Sequence, residues 1–461
     1  MSNSVVNTLK QVEKFLEDKK DDQFLLLKVT RIEILKKIHS WISNNTNEII
    51  NSLKKDLNKS EIETLLSEVY IVLNQITFYI KKINRFFKEK KVKKNGLLSL
   101  GSTGYVTYKP LGTTLIVSPF NYPFHLTVLP LITNIAAGNY SILKNSPKAF
   151  NTSRVVLKMI QELNLGNIIC FLDEDSDKEF LFDVISKKPD LLFYTGGKSF
   201  GDELKRQANL NDVKVILELG SPSVVIVDES ADIQLAAKRI VWGKLFNLGQ
   251  TCVAPNSIFC DEKVIDKLIS AINFELTTQY DLEKFEFARL IDSNALDKIV
   301  NLVKNLTGTD LEFDKANLRI KPTLIKVQDT NPILFEEIFG PVLFISSFKN
   351  LTDFSKKYKV KINGSLTLYI FSNNQYNIKN VSDNFQYGSL GINEVLLQAS
   401  NIHLPFGGIK SSGMGRYHGL FGLEEFTNQV AILKGSKKDK SYRYFNKISK
   451  YKNLIKIFAK K

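Results

Sequence analysis

The sequence predicts an α/β protein with two Rossmann-like, doubly wound α/β domains and a small β arm. Its 461 residues exceed the roughly 250–300 residues at which a single hydrophobic core stops growing, so two or three structural units are expected. From Gly112 to Gly220, short apolar runs alternate with helical segments, a pattern typical of a mainly parallel sheet covered by helices. A Gly-Ser-Thr-Gly segment followed by Tyr105-Val106-Thr107-Tyr108 predicts a hairpin-like arm near residues 97–109.

The first 90 residues predict helices that cover a sheet. From residue 5 to residue 90, apolar side chains recur at helical spacing between charged faces. The strands of the first unit are then expected as short apolar runs separated by helical segments. They are Thr114–Val117, Tyr140–Lys144, Asn167–Phe171, Leu191–Tyr194 and Val213–Glu218.

A second α/β unit is predicted from about Leu219 to Leu390. Its strands include Ser223–Val227, Ser257–Asp261 and Pro341–Phe348. Residues 391–424 are expected to return to the first unit, and Phe426–Leu433 is expected to be a strand that pairs with the arm. The predicted division is therefore a first domain of residues 1–93, 110–218 and 391–424, a second domain of residues 219–390, an arm of residues 94–109 and 425–436, and a tail of residues 437–461.

Composition excludes several classes of protein. Hydrophobic residues at 43% and charged residues at 24% argue against general disorder and against a polytopic membrane protein. Apolar stretches such as Val128–Ala137 are far shorter than the ~20 residues needed to span a bilayer. The N-terminal segment leads into a Lys/Glu-rich helix and lacks the apolar core of a secretory signal. We therefore expect a cytoplasmic location.

The three cysteines, Cys170, Cys252 and Cys260, fit neither a disulfide framework nor a zinc site, so a reducing compartment and no metal are expected. Cys170 and Cys260 lie in apolar, strand-like runs where a thiol behaves as a small hydrophobic group. Cys252 differs because it follows Gly249-Gln250-Thr251, a polar and turn-prone segment. It is the candidate nucleophile.

The positive charge is concentrated at the C-terminal end. Residues 437–461 carry ten Lys or Arg and one Asp, which is +9 of the net +15. No base-stacking or groove-reading module accompanies this charge, so nucleic-acid binding is not expected. Apolar residues recur every three or four positions among the lysines, as in a basic amphipathic helix. Two interpretations stay open: contact with an anionic membrane on its inner face, and packing on the protein itself.

Two further residues have the chemistry that oxidation through a covalent thioester requires. Glu218, at the end of an apolar strand, is suited to remove a proton from water. Asn121 follows Ser118-Pro119-Phe120 at the carboxyl end of a predicted strand, where open α/β sheets bind ligands. Its amide can donate to an oxygen that becomes negative.

From about Gly112 to Thr427, these segments and Glu336-Glu337-Ile338-Phe339-Gly340-Pro341 resemble the aldehyde dehydrogenase superfamily in order and spacing. The resemblance implies the aldehyde dehydrogenase fold, with a cofactor-binding first domain, a catalytic second domain and an oligomerisation arm. It also implies roles for three residues: Cys252 as nucleophile, Glu218 as general base and Asn121 as oxyanion donor. Relatives that transfer the acyl group to coenzyme A generally lack the carboxylate at Glu218, which favours release of a free acid.

The cofactor implied is NAD or NADP. Leu192 to Lys198 ends a strand and opens a helix whose amides can receive a pyrophosphate. The cofactor-binding candidates are Ser118, Pro119, Lys144, Gly196, Gly197, Glu337 and Phe339. Many NAD-preferring relatives carry a Glu three residues after the lysine, whereas this chain has Pro147 followed by Lys148. We therefore expect NADP to be accepted; the sequence leaves open which cofactor is preferred.

Two patches, Asn121 to Thr127 and Leu404 to Gly419, look like the class 3 branch, which oxidises medium- and long-chain aliphatic or aromatic aldehydes as a dimer. Tyr122 and His418 are candidate pocket residues, and a structural role for His418 is left open. Ser221 and Leu248 replace smaller residues usual in the family. Two alternatives stand beside this reading: a coenzyme A-acylating aldehyde dehydrogenase, and an inactive membrane-associated scaffold on the same fold.

Overall fold

A computed structural model of the chain describes residues 5–6, 8–20, 27–93, 101–173, 176–435 and 444–459. Within them are two large sheets, a three-stranded arm and one short hairpin. In chain order the strands are β1 (Val5–Val6), β2 (Lys90–Lys91), β3 (Thr103–Pro110), β4 (Thr113–Val117), β5 (Tyr140–Lys144), β6 (Ile169–Leu172), β7 (Leu191–Gly196), β8 (Lys214–Leu219), β9 (Ser223–Val227), β10 (Pro255–Asp261), β11 (Phe313–Asp314), β12 (Arg319–Ile320), β13 (Thr323–Lys326), β14 (Val342–Phe348), β15 (Ser365–Phe371), β16 (Tyr387–Ile392), β17 (Gly413–Met414) and β18 (Thr427–Lys434).

Helices cover both large sheets. They are α1 (Leu9–Lys20), α2 (Lys28–Asn44), α3 (Thr46–Leu57), α4 (Glu61–Thr64), α5 (Tyr70–Phe86), α6 (His125–Ala137), α7 (Phe150–Glu162), α8 (Lys178–Ser186), α9 (Lys198–Leu210), α10 (Ile233–Leu245), α11 (Ile265–Gln279), α12 (Ser293–Thr307), α13 (Leu351–Ile362), α14 (Gln375–Asn384), α15 (Leu397–Ser400), α16 (Gly419–Glu425), α17 (Phe445–Ile448) and α18 (Lys452–Ala459). A π-helical turn, Leu65–Val69, joins α4 to α5.

The first sheet has the order β1-β6-β5-β4-β7-β8-β17. Its first six strands run parallel, and only β17 pairs antiparallel, against β8. Strands β4, β5 and β6 are buried along their whole length, which explains their continuous apolar sequences. Because the carboxyl ends of parallel strands meet at one edge, the ends of β4, β5, β7 and β8 converge there. The doubly wound fold class is confirmed.

The second sheet has the order β13-β14-β10-β9-β15-β16, and all its strands are parallel. Strand β8 of the first sheet ends at Leu219, and β9 of the second begins at Ser223. This short connection sets the carboxyl edge of the first sheet against the amino edge of the second. The loops before β10 and β14 therefore lie opposite the ends of β4, β7 and β8.

The arm is antiparallel, as expected. Strand β18 pairs with β3 from Thr427↔Pro110 to Lys434↔Thr103, and β2 pairs with the other side of β3. The predicted pairing of Phe426–Leu433 with the arm is thus confirmed, with the strand displaced by one residue. Residues 94–100 of the predicted arm lie outside the described residues.

The helical prediction for residues 5–90 is wrong at both ends. Val5 and Val6 form a short parallel strand beside β6, and Lys90 and Lys91 pair with β3. Two-residue strands are too short to produce a periodic signal in the sequence.

In the tail, α17 and α18 are described, whereas residues 436–443 and 460–461 lie outside the described residues. Among the described helices of the whole chain, none is both long enough and apolar enough to cross a bilayer.

Candidate active site

A cavity of about 690 Å³ opens where the two sheets face each other. Ten of the predicted site residues line it: Pro119, Asn121, Tyr122, Gly196, Gly197, Glu218, Cys252, Glu337, Phe339 and His418. The other two, Ser118 and Lys144, are buried at the carboxyl ends of β4 and β5. The Ser118 N–H donates to the Lys144 carbonyl oxygen at 3.0 Å, which ties those two strand ends together.

The cysteine loop has an unusual backbone. Asn247, Leu248 and Gly249 have φ values of 51°, 50° and 76°, three consecutive residues in the left-handed region. That region is costly for a side chain such as leucine. Glycine is required at 249, because a Cβ there would overlap the carbonyl oxygen of Gly340. The tight turn carries Cys252 to the cavity wall, where the thiol is half-buried.

Asn121 is tied directly to this loop. Its Nδ2 donates to the Gln250 carbonyl oxygen at 3.0 Å, and the side chain is only 4% exposed. An amide nitrogen carries two hydrogens. The second N–H has no acceptor among the described residues, and Asn121 lines the cavity. It is therefore available to an oxygen of a bound molecule.

Glu218 lies near the end of β8 and is 4% exposed. Burial raises the pKa of its carboxyl group well above the usual value, and the Arg416 charge and the Gly408 N–H act in the opposite direction. The carboxylate packs closely against Gly407, where a Cβ would lie 2.8 Å from Oε1. A carboxylate whose pKa is raised is a stronger base than an exposed carboxylate.

The thiol lies in the same cavity as two carboxyl groups. Burial raises the pKa of Cys252 to about 12, and repulsion from Glu337 and Glu218 adds to the shift. Glu337 reaches solvent through the cavity but is enclosed by protein, which raises its own pKa, while the Lys244 charge opposes that rise. Lys244 is buried, and burial lowers its pKa to about 7. In this arrangement the thiol is protonated at neutral pH, so a base must remove its proton before attack.

The turn between β7 and α9 has the features of a phosphate site. Gly197 caps the 13-residue helix α9 without a side-chain bond to it, and a Cβ on Gly197 would meet no atom within 4 Å. Helix N-terminal amides attract anions. Nearby, the buried hydroxyls of Thr195 and Ser118 have no partner in the described part of the chain. Gly220 lies so close to Glu337 that a Cβ would overlap the carboxylate. These residues fit a dinucleotide cofactor running from Gly197 towards Glu337.

The inner wall of the cavity is aromatic. The loop between β4 and α6, residues 118–124, carries Asn121 and is called the asparagine loop; the segment between α10 and β10, residues 246–254, carries Cys252 and is called the cysteine loop. The Tyr122 hydroxyl and Thr251 Oγ1 are 2.6 Å apart, which links the two loops. His418 is buried, stacks on Phe406 with ring centroids 5.3 Å apart and has a φ of 87°. Burial lowers the pKa of its imidazole to about 3, so His418 is neutral at physiological pH.

Several residues of the site carry no signal in the sequence. The side chain of Gln250 connects the cysteine loop to residues 289–291 by two hydrogen bonds. Its Nε2 donates to the Arg289 carbonyl oxygen at 2.9 Å, and its Oε1 accepts from the Ile291 N–H at 3.1 Å. Asn247 binds two backbone oxygens beside it. The position of Gln250 within Gly-Gln-Thr-Cys was the one available clue. Asn247 lies between Phe246 and Leu248 and belongs to no recognisable motif, and the buried lysine Lys59, described below, has polar neighbours in sequence that are typical of a surface segment.

Comparison with known proteins identifies the family. A model of the aldehyde dehydrogenase family matches residues 19–432. The chain belongs to this family. The 4,4'-diaponeurosporen-aldehyde dehydrogenase of Staphylococcus aureus (strain NCTC 8325 / PS 47) is 34% identical over 411 residues, which cover 87% of this chain and 88% of that protein. Aldehyde dehydrogenase family 3 member A2 of Macaca fascicularis is 33% identical over 427 residues, covering 89% and 85%.

A solved structure agrees with the sequence relatives. The substrate-bound state of Staphylococcus aureus AldH superposes with a TM-score of 0.90 at 32% identity and covers 98% of this chain and all of that one. The resemblance to the class 3 branch, the fold class and the assignment as an NAD(P)-dependent aldehyde dehydrogenase are thereby confirmed. The roles of individual residues within this family member are argued below.

The variant Glu337→Gln tests whether the charge of Glu337 raises the pKa of Cys252. Removing the negative charge of Glu337 favours the thiolate, so the pKa of Cys252 should fall. The pH dependence of Cys252 alkylation by iodoacetamide measures this shift, and its midpoint should move to lower pH. The exposed neighbour Glu336 provides the control, since Glu336→Gln should leave the midpoint in place. A midpoint that stays or rises in Glu337→Gln would contradict the assigned repulsion.

Proposed function

We propose that the protein oxidises a medium- or long-chain aliphatic or aromatic aldehyde to the free carboxylic acid, through a covalent adduct on Cys252. One observation carries the proposal: Cys252, Asn121 and Glu218 line a single cavity, and Asn121 is hydrogen-bonded to the loop of the nucleophile. A thiol, an oxyanion donor and a carboxyl group with a raised pKa are together what this reaction needs.

In the first step the proton of the Cys252 thiol passes to a solvent water molecule in the cavity, and Sγ bonds to the aldehyde carbon. The carbonyl oxygen becomes negative, and the free N–H of Asn121 Nδ2 and the Cys252 N–H donate to it. Losing one such donor typically slows acyl-transfer enzymes by about 10²–10³-fold. A nicotinamide cofactor, which Gly197 and Glu337 would hold, would supply the acceptor for the hydride that leaves the thiohemiacetal carbon, so that Cys252 would then carry a thioester.

In the second step Glu218 takes a proton from water, and the water oxygen attacks the thioester carbon. The bond between carbon and Sγ breaks, the acid leaves and the thiolate of Cys252 is regenerated. Burial of Glu218 supports this role because a carboxyl group with a raised pKa is a stronger base. The presence of this carboxylate argues against the coenzyme A-acylating alternative, which would yield a thioester product. Turnover with an aldehyde would exclude the inactive scaffold.

The substrate class is proposed from the cavity walls. Apolar and aromatic side chains from both sides of the junction line the entrance: Leu66, Tyr70, Trp242, Phe246 and Leu397. Such walls favour a hydrophobic chain or ring over a small polar aldehyde. Each buried methylene contributes about 0.8 kcal/mol, so affinity should rise with chain length.

The cofactor proposal is that NADP is accepted alongside NAD. Pro147 opens a short 3₁₀ turn next to Lys144, at the position where many NAD-preferring relatives carry a glutamate. No carboxylate is present at 147 to repel a 2′-phosphate. Lys148 does not act as a free positive charge, because its Nζ lies 2.6 Å from Asp292. The proposal that NADP is accepted therefore depends on the lack of a negative charge at residue 147 that would repel the 2′-phosphate. It does not depend on a side chain that binds this phosphate.

We propose a homodimer because two sheets of the protein have unpaired outer strands. Strand β18 is an outer strand of the arm, and β16 is an outer strand of the second sheet. Unpaired strand edges of this kind bind another chain readily, which supports a homodimer built through the arm.

The location proposed is cytoplasmic, with the basic tail as a candidate contact to the inner membrane face.

The variant Glu218→Gln separates the two half-reactions. Because the thiol proton passes to solvent water rather than to Glu218, the first step does not need this carboxylate, and one equivalent of reduced cofactor per active site should form in a burst. Hydrolysis should then slow by about 10²–10⁴-fold, the usual contribution of a general base. Stopped-flow absorbance of the reduced cofactor measures both phases. The surface variant Glu229→Gln is the control, and unchanged steady turnover in Glu218→Gln would mean that another base acts.

The variant Pro147→Glu tests the cofactor proposal. A carboxylate at 147 should repel the 2′-phosphate and lower kcat/KM with NADP at least tenfold, while kcat/KM with NAD is retained. Pro147→Gln, which has the same size without the charge, separates repulsion from a change in the turn. Wild-type protein that uses NAD alone would refute the proposal.

Deletion of the tail tests membrane contact. Full-length protein should pellet with vesicles that contain anionic lipid, and a chain ending at Gly435 should stay in the supernatant. Neutral vesicles control for binding that does not depend on charge. Equal pelleting of the two chains would leave the tail as a helix packed on the protein.

A further inference from the structure

A buried lysine connects the N-terminal helices to the active site. Lys59 precedes α4, and its side chain has no exposed surface. Its Nζ donates to Glu68 Oε1 at 2.5 Å and to the Asn121 carbonyl oxygen at 2.9 Å. The ammonium group also lies 3.9 Å from the ring centroid of Tyr122. These contacts of the buried charge are with Glu68 and with the loop that carries Asn121 and Tyr122.

Glu68 continues the connection to the next helix. It belongs to the π-helical turn Leu65–Val69, a local distortion that is frequent at functional sites. While Oε1 binds Lys59, Oε2 accepts from the His125 backbone N–H at 2.8 Å. His125 is the first residue of α6, so the Lys59–Glu68 pair holds the asparagine loop at Asn121 and at the start of the helix that follows it.

Glu63 reaches the loop of the nucleophile. Its Oε1 accepts a short hydrogen bond from the Asn247 backbone N–H. Asn247 is the first of the three left-handed residues before Gln250, a conformation that needs external support. Its Nδ2 in turn donates to the Asn121 carbonyl oxygen at 2.8 Å and to the Gln250 carbonyl oxygen at 3.1 Å.

The two loops thus meet at one peptide group. The carbonyl oxygen of Asn121 accepts from both Lys59 and Asn247, and the Asn121 side chain donates to Gln250. The Asn121 carbonyl oxygen accepts two hydrogen bonds, and one N–H of its side-chain amide donates to the Gln250 carbonyl oxygen. These three bonds fix the direction of the second N–H on Nδ2. That N–H is the group assigned to the oxyanion under the proposed function.

We propose that Lys59, Glu63 and Glu68 are positioning residues that fix the distance between the two oxyanion donors, Asn121 Nδ2 and the Cys252 N–H. The inference rests on the proposed function and adds to it three residues that do not touch the substrate. Displacing reacting groups by about 1 Å can cost about 10²-fold in rate, so small shifts of either loop matter. Fixing a unique arrangement is also a known use of buried charges.

The first test is Lys59→Met, which keeps the length of the side chain and removes its charge. The rate constant of the first turnover should fall at least tenfold, since the loop that carries Asn121 loses a donor to its main chain. The dissociation constant of the cofactor should change less than twofold, because no residue of the β7–α9 turn is touched. Lys54→Met is the matched control: Lys54 lies five residues earlier and pairs with Glu286 at the surface.

A double-mutant cycle separates positioning from stability. In an Asn121→Ala background one of the two donors is gone, so the spacing no longer matters. There, Lys59→Met should change kcat/KM by less than about twofold, because effects on interacting groups are not additive. A merely structural role would lower kcat/KM by the same factor in both backgrounds, and that result would overturn the inference.

Glu63 provides a second route if Lys59→Met does not fold. Glu63→Leu removes the acceptor for the Asn247 N–H and should slow the first turnover about tenfold, whereas Glu63→Gln keeps an amide oxygen there and should restore most of the rate. The exposed Glu61→Leu, on the same helix, is the control. Equal rates in all three Glu63 proteins, or an additive cycle with Asn121→Ala, would overturn the inference. If wild-type protein oxidises no aldehyde, the proposed function itself fails.

Discussion

The hydrogen bond from Asn121 Nδ2 to the Gln250 carbonyl oxygen is the interaction on which the site depends. It joins the loop that follows β4 to the loop that precedes β10, and these loops belong to different sheets. Both loops are buried, so their polar groups must find partners within the protein. The pairing satisfies that requirement and brings an amide donor beside the thiol. The short connection from β8 to β9 makes the meeting possible by bringing the two sheet edges together.

Burial also sets the chemistry of the ionisable groups. A thiol and two carboxyl groups line the cavity, the buried Lys244 interacts with one of those carboxyl groups, and the pKa values of all four shift in the directions that reduce net charge. The consequence is a resting nucleophile in its protonated form and carboxylates that are stronger bases than exposed ones. Shifted pKa values are common at active sites because catalysis needs groups matched to the working pH. Here, the surroundings that protonate the thiol also make Glu218 a competent base.

The sequence predicts the parts that depend on local pattern. Buried parallel strands need continuous apolar runs, so Tyr140–Lys144 and Ser223–Val227 were predicted with their observed bounds. Cys252 and Glu218 stand out because their residue types conflict with simple surface or core roles. By contrast, Lys59 and Glu68 lie in a helical stretch rich in charges, where a solvated face is the ordinary expectation. Only tertiary packing shows that they are buried, and only tertiary packing brings Lys148 and Asp292 together as a partly exposed ion pair.

The central claim is a covalent bond between Cys252 and the carbon being oxidised. Rapid quenching of enzyme, cofactor and an aliphatic aldehyde, followed by mass spectrometry of the peptide that contains Cys252, tests it most directly. The account predicts a mass increase equal to the acyl group on that cysteine, formed at the rate of cofactor reduction. Absence of the adduct while the aldehyde is consumed, or an unchanged rate of oxidation in Cys252→Ala, would contradict it.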